Sequence, residues 1–176
     1  VDENKKMLAV IKADAYGHGA VEVGRALDDM ADYYAVAFLD EGIELRKAGI
    51  DKPILILGYT DPSDYMDLMR WDIRPAMYDV DEAQQLSDDA VSMGKRAKIH
   101  IKVDTGMGRI GFTCDDAGVN NIEKIWKMPG IEIEGIFTHY AKADECDKTA
   151  ANGQLEKFRW INDRLAEIGI HIPVRH

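Results

Sequence analysis

The sequence predicts an α/β protein built around a parallel sheet. Three observations lead there. Short apolar runs alternate six times with stretches of helical period. The runs are nearly continuous rather than alternating, as in strands buried on both faces. Hydrophobic residues make up 46% of the 176-residue chain, enough for a sizeable core and too many for a disordered one. Two architectures satisfy the pattern: a doubly wound open sheet and a (β/α) barrel. A full barrel has eight units and typically about 250 residues. This chain holds six, or seven if a short run near its end is counted, so a barrel would be incomplete.

The predicted strands are Leu8 to Ile11, Tyr34 to Phe38, Ile54 to Leu57, Ile73 to Tyr78, Ile99 to Val103 and Ile133 to Phe137. A seventh run spans Ile170 to Val174. Arg74 and Pro75 make the fourth the weakest, because proline cannot donate to a ladder. Between them lie helical segments. "AVEVGRALDDMAD" places Val21, Val23, Leu27 and Met30 on one side. "LDEGIELRKAG" turns Ile43, Leu45 and Ala48 inward and stops at Gly49. "DPSDYMDLMRW" opens with Pro62 near its first turn. "YDVDEAQQLSDDAVSMG" ends at Gly94, and "DDAGVNNIEKIWKMPG" ends before Pro129. "NGQLEKFRWINDRLAEIG" carries Leu155, Phe158, Ile161, Leu165 and Ile168 at helical spacing.

Composition narrows the function classes. The net charge of -10 disfavours nonspecific nucleic-acid binding. No apolar run approaches the roughly 20 residues of a membrane span. No signal-peptide pattern opens the chain. Cys114 and Cys146 form no metal-type cluster and read as reduced thiols, so no metal is expected. These features fit a soluble cytosolic protein better than a secreted or nucleic-acid-binding one.

Three sites stand out. Lys12 ends the first strand and runs into "ADAYGHG". In a barrel, that end of the strand carries active-site residues. A partly desolvated lysine there is an amine nucleophile toward an aldehyde, although this feature alone favours an ordinary snorkelling lysine. Gly17 and Gly19 form neither a dinucleotide fingerprint nor a P-loop. Tyr16 could offer its hydroxyl to a phosphate, or simply line the rim. The second site is "HIKVDTGMGRIGF". Lys102 lies inside an apolar run, so its charge must be paired, exposed at a barrel mouth or chemically modified. Arg109, delivered by a glycine-rich loop, can grip a carboxylate or brace the loop through an aspartate. The third is "GIFTHYAKAD", with His139 just after the sixth strand. Lys12, Arg109 and His139 all follow the carboxyl ends of strands.

Three stretches carry a family resemblance. "AVIKADAYGHGA" resembles the cofactor-lysine motif of alanine racemases, the fold-type III enzymes that use pyridoxal 5'-phosphate. "IKVDTGMGRIGF" resembles their second signature and "GIFTHYAKAD" their third, in the same order. Asp14 stands where that family commonly has asparagine. The resemblance implies an incomplete (β/α)8 TIM-type barrel, with residues 1–176 belonging to an N-terminal cofactor-binding domain and the C-terminal β domain absent. It implies that Lys12 forms the internal aldimine and serves as one of two bases. It further implies that Tyr16 contacts the cofactor phosphate, that Arg109 binds substrate and cofactor, and that His139 lines the pocket. Lys102 matches a lysine that is carbamylated in many members, giving an anion that faces the arginine. The activity implied is interconversion of L- and D-alanine, which supplies D-alanine for peptidoglycan, in a homodimer.

The second base in that family is a tyrosine on the β domain. The resemblance therefore covers nearly the whole chain and about half of a full racemase, and this chain alone is expected to be inactive. The rival readings are a serine or other amino acid racemase, a noncatalytic pyridoxal-phosphate carrier, a decarboxylase of the same fold and a phosphate-binding barrel.

Overall fold

A computed structural model describes residues 5–176. The chain divides into two compact units, one running to Ala76 and the other from Met77 to His176.

The first unit is a parallel sheet laid down in chain order. Its strands are β1 (Leu8–Val10), β2 (Tyr33–Val36), β3 (Ile54–Ile56) and β4 (Ile73–Met77). Leu8 pairs with Tyr33, Tyr34 with Ile54, and Ile54 with Ile73. The middle strands are buried at every position, which is why they read as unbroken apolar runs. β4 is buried throughout as well, despite Arg74 and Pro75. The Arg74 guanidinium is satisfied by the side chain and the carbonyl of Asp72, at 2.8 and 2.6 Å.

A short left-handed segment, α1 (Lys12–Gly17), and three helices make the crossovers: α2 (Ala20–Ala26), α3 (Leu39–Lys47) and α4 (Tyr65–Arg70). A 3-10 turn at Pro62–Asp64 precedes α4 and is capped by Asp61. α2 is shorter than its pattern predicts. Its buried face is Ala20 and Gly24, not the valine-leucine-methionine stripe, and Met30 is exposed. Gly24 explains the difference. Its carbonyl accepts from the Tyr34 hydroxyl at 2.5 Å, and a Cβ there would meet the Ile50 side chain. The helix packs through its smallest residues because the sheet lies close beneath it. In α3, Arg46 donates to four carbonyls, those of Trp71, Ile50, Lys52 and Asp72. It thereby ties α3 to the loops that feed β3 and β4.

The second unit holds β5 (Ala97–Asp104), β6 (Phe112–Thr113), β7 (Ile131–Phe137) and β8 (Val174–Arg175). Its helices are α5 (Val80–Ser92), α6 (Asp116–Trp126) and α7 (Thr149–Glu167). Asp79 and Asp115 cap α5 and α6 by accepting from first-turn amides. β7 lies between β5 and β8, all parallel, and the two-residue β6 adds to the end of β5. The β5–β7 ladder slips once, between Ile99 and His100, where β7 carries one extra residue. Beyond the slip, His100 pairs with Gly135, where an added Cβ would lie 2.4 Å from the His100 ring.

The predicted strands hold to within two residues, except the seventh run. Residues 170–173 are not strand, and β8 begins only at Val174. Pro173 removes a ladder donor, while Ile170 and Ile172 bury their side chains without pairing. β6 is also additional to the predicted pattern. Gly49, Gly94 and Gly169 follow helix ends at positive φ, as their positions predict. Both cysteines are free.

Candidate active site

The end of β1 explains why a lysine there precedes a glycine turn. Lys12 is half-buried and opens α1, whose interior winds the wrong way for L-residues. Ala13, Asp14, Ala15 and Tyr16 have φ of 52, 53, 51 and 56°. A left-handed turn costs about 1–2 kcal/mol per non-glycine residue, so four in succession must be held from outside. The Ala15 amide donates to the Ile11 carbonyl at 3.0 Å, and the Gly19 amide to the Asp14 carbonyl at 3.0 Å. The Asp14 side chain accepts from the Ala20 amide at 2.7 Å, so the aspartate at this motif position caps the entry to α2. Glu41, from α3, accepts from the Ala13 amide at 2.7 Å. Gly17 and Gly19 continue at φ of 86 and 89°, where a side chain would be strained. Tyr16 projects outward, 63% exposed, and His18 is exposed. Lys12 thus leads directly into the left-handed turn that carries Tyr16.

The second motif lies on β5 and the loop after it. Lys102 is 2% exposed. Its amine donates to the carbonyls of Val103 at 2.7 Å and Ile110 at 3.0 Å, and lies 5.8 Å from the centre of the Phe137 ring. Burial pushes its pKa below the ordinary lysine value, against the opposing pull of Asp104. Carbonyl capping is thus the answer to its buried position here, an arrangement that the sequence reading did not anticipate.

Asp104 does not pair with Arg109 as a bracing aspartate would. Its carboxylate accepts from the amides of Gly106 and Gly108. Burial works against its charge, but these amides outweigh it and hold its pKa below the usual carboxylate value. Gly111 lets the loop return onto β5, since a Cβ there would lie 2.6 Å from the Asp104 nitrogen. Arg109 is exposed and makes no ion pair among the described residues. It stands one residue before the Ile110 carbonyl that Lys102 holds.

His139 lies two residues beyond β7 and is exposed. Its carbonyl accepts from Gln154 of α7 at 3.0 Å. The same amide nitrogen donates to Thr105 at 3.0 Å, and the Gln154 oxygen accepts from the Ala141 amide at 3.0 Å. Thr105 and Thr138 share a hydroxyl bond of 2.8 Å. Gln154 therefore joins the loops after β5 and β7. Sequence reasoning missed it, although the signal was present: Gln154, Phe158, Ile161 and Leu165 fall on one helical stripe, and the only polar member is buried. His176, also missed, stacks on Phe137 and lies 3.0 Å from the buried His100 ring. Burial, then the neighbouring His100, pushes its pKa down to about 4.

The sequence that carries these features matches a known family. The model described as "Alanine racemase, N-terminal domain" matches residues 1–176. The chain belongs to the alanine racemase family. It is 47% identical over 173 residues to the alanine racemase of Clostridium perfringens strain SM101, covering 98% of this chain and 45% of that relative. It superposes on the alanine racemase of Clostridium difficile 630 with a TM-score of 0.98 at 43% identity, covering all of this chain and 49% of the other. A histidine racemase from Leuconostoc mesenteroides gives a TM-score of 0.88 at 27% identity, over 98% of this chain and 46% of the other. The chain spans about half the length of the curated relatives it matches. The whole-chain likeness to a racemase structure decides between the two architectures: the fold is an incomplete TIM-type barrel of parallel βα units. Among the described residues, no helix is long and apolar enough to cross a membrane.

Proposed function

We propose that the protein containing this chain is an alanine racemase that uses pyridoxal 5'-phosphate, and that residues 1–176 are part of its N-terminal cofactor-binding domain. The observation that carries the reading is Lys12, half-buried at the end of β1 and followed at once by a left-handed turn that presents Tyr16. The donors of this segment suit an aldehyde bearing an anionic group: an amine for the aldehyde and a phenol for the phosphate. Bound pyridoxal phosphate supplies an electron sink that makes an amino acid α-proton removable.

In this reading Lys12 holds the cofactor and carries the α-proton on the face of the D-enantiomer. Tyr16 donates its hydroxyl to the phosphate. Arg109 binds the substrate carboxylate and a cofactor oxygen, and His139 lines the pocket. The opposite-face base is a tyrosine of the β domain, contributed by the second subunit of a homodimer. Lys102 is the residue for carbamylation. Its buried, depressed amine favours the neutral form that attacks carbon dioxide, releasing one proton and leaving an anion beside Arg109. A cytoplasmic enzyme supplying D-alanine to peptidoglycan completes the proposal.

Two experiments on the full-length protein test it. Cofactor-replete protein should show a visible band that borohydride abolishes and that Lys12→Ala lacks. Its absence in replete protein would remove every cofactor-based reading. Product assays with alanine, serine and histidine then fix the substrate. The likeness to a histidine racemase makes another amino acid the second reading. A replete protein that racemises none of the three would favour a carrier.

A further inference from the structure

The geometry points to Glu41 as a positioning residue for Lys12, acting through the Ala13 peptide. The inference rests on the assignment of Lys12 as the cofactor lysine.

Glu41 occupies the third position of α3, where a capping-box glutamate ordinarily reaches back only to the N-cap amide. Here it does more. One carboxylate oxygen accepts from the Ala37 amide at 2.6 Å and the Phe38 amide at 3.4 Å. The other accepts from the Ala13 amide at 2.7 Å, 28 residues away. The Ala13 amide belongs to the peptide that Lys12 itself begins. β1 and β2 are already in register at this point, with Val10 opposite Ala35 and the Ile11 amide on the Ala35 carbonyl. Glu41 extends that pairing past the strand ends by a side chain, into the segment where the backbone reverses hand.

The location gives the bond its weight. Ala13 is the first of the four left-handed residues. The bonds that tie the segment to its flanks start from the amides of Ala15, His18 and Gly19, while the Ala13 amide donates to Glu41. The acceptor for the first amide of the turn is therefore Glu41. A carboxylate is the side chain suited to this place. It offers acceptors on both sides, whereas glutamine must turn an NH2 toward one set of donor amides.

Glu41 does not touch the cofactor in this scheme. It fixes the backbone from which the Lys12 side chain departs, and the aim of a reacting amine is sensitive to shifts of about 1 Å. A helix cap with no such role would affect stability only.

The test uses the full-length protein stripped of cofactor. Pyridoxal 5'-phosphate is added, the lysine adduct is trapped with borohydride at timed intervals, and the labelled peptide is identified by mass. Unfolding midpoints are measured in parallel. Asp79→Ala, which removes the cap of α5, serves as a control for cap loss alone. Glu41→Gln is expected to slow trapping at Lys12 at least about tenfold at full folded fraction, while Asp79→Ala leaves the rate unchanged. Glu41→Ala is expected to do the same, and if it does not fold, Glu41→Gln decides. Trapping by Glu41→Gln within about twofold of the unsubstituted rate, with only the midpoint lowered, would overturn the inference and leave the Lys12 assignment standing. Undiminished labelling of the same peptide in Lys12→Ala would instead overturn the assignment on which it rests.

Discussion

The Lys102 amine donates to the Ile110 carbonyl at 3.0 Å, so a side chain buried in β5 holds the backbone beside Arg109. Replacing Lys102 with methionine keeps the apolar stem and removes the donor. The carbonyls of Val103 and Ile110 then lose their side-chain partner. Hydrogen exchange in the loop of residues 105–111 should quicken, and the KM for the amino acid should rise more than kcat falls. Unchanged exchange would show that the loop holds itself through Asp104.

Gln154 offers a second test. Gln154→Leu preserves shape but leaves the Thr105 hydroxyl, the His139 carbonyl and the Ala141 amide without it. Thr105 keeps its bond to Thr138, and His139 and Ala141 are exposed, so a loss of about 1–2 kcal/mol in urea unfolding is expected. The segment after β7 should also become sensitive to protease. A loss under about 1 kcal/mol would mean that water replaces the amide without penalty.

Two glycines should respond in opposite directions to alanine. Gly111 sits at φ 128° with the β5 backbone 2.6 Å from any added Cβ. Gly111→Ala should destabilise by more than about 2 kcal/mol. Gly153 lies inside α7 with nothing within 4 Å. Gly153→Ala should stabilise by about 0.5–1 kcal/mol. Thermal unfolding of the two variants checks both signs, and a destabilised Gly153→Ala would contradict the open surroundings.

His176 predicts an acid limb of stability. Its folded pKa is about 4 against an ordinary 6.5, chiefly through burial. Between those values the unfolded chain binds the proton and the folded chain does not. The contribution is therefore complete above pH 6.5, falls as pH drops toward 4, and is gone below that. His176 is exposed at its surface, so solvent screening reduces the effect to on the order of 1 kcal/mol. Denaturant titrations at pH 7 and 4.5 should separate the protein from His176→Gln, with the smaller change in the variant. Equal changes would assign the acid limb to carboxylates such as the neighbouring Glu134.

The sheet was legible because parallel strands buried on both faces leave unbroken apolar runs, as Tyr34 to Val36 and Ile54 to Ile56 do. The motif lysine, arginine and histidine were legible because each follows such a run. The left-handed segment was not. Ala13, Ala15 and Tyr16 carry no local preference for positive φ, and the bond from the Ala13 amide to Glu41 joins the local bonds that hold the turn. The α2 stripe misled for a related reason. Periodicity ranks side chains by hydrophobicity, whereas the close sheet selected for small size at Ala20 and Gly24.

The slip in the β5–β7 ladder sets which side chains meet. Before it, Ile99 faces Ile133; after it, His100 faces Gly135 and Lys102 faces Phe137. A ladder continuing without the slip would set Glu134 opposite His100 and Ile136 opposite Lys102. One surplus residue thus acts as a phase shifter. It brings the residue with no side chain opposite a buried imidazole, and an aromatic face within reach of a buried amine.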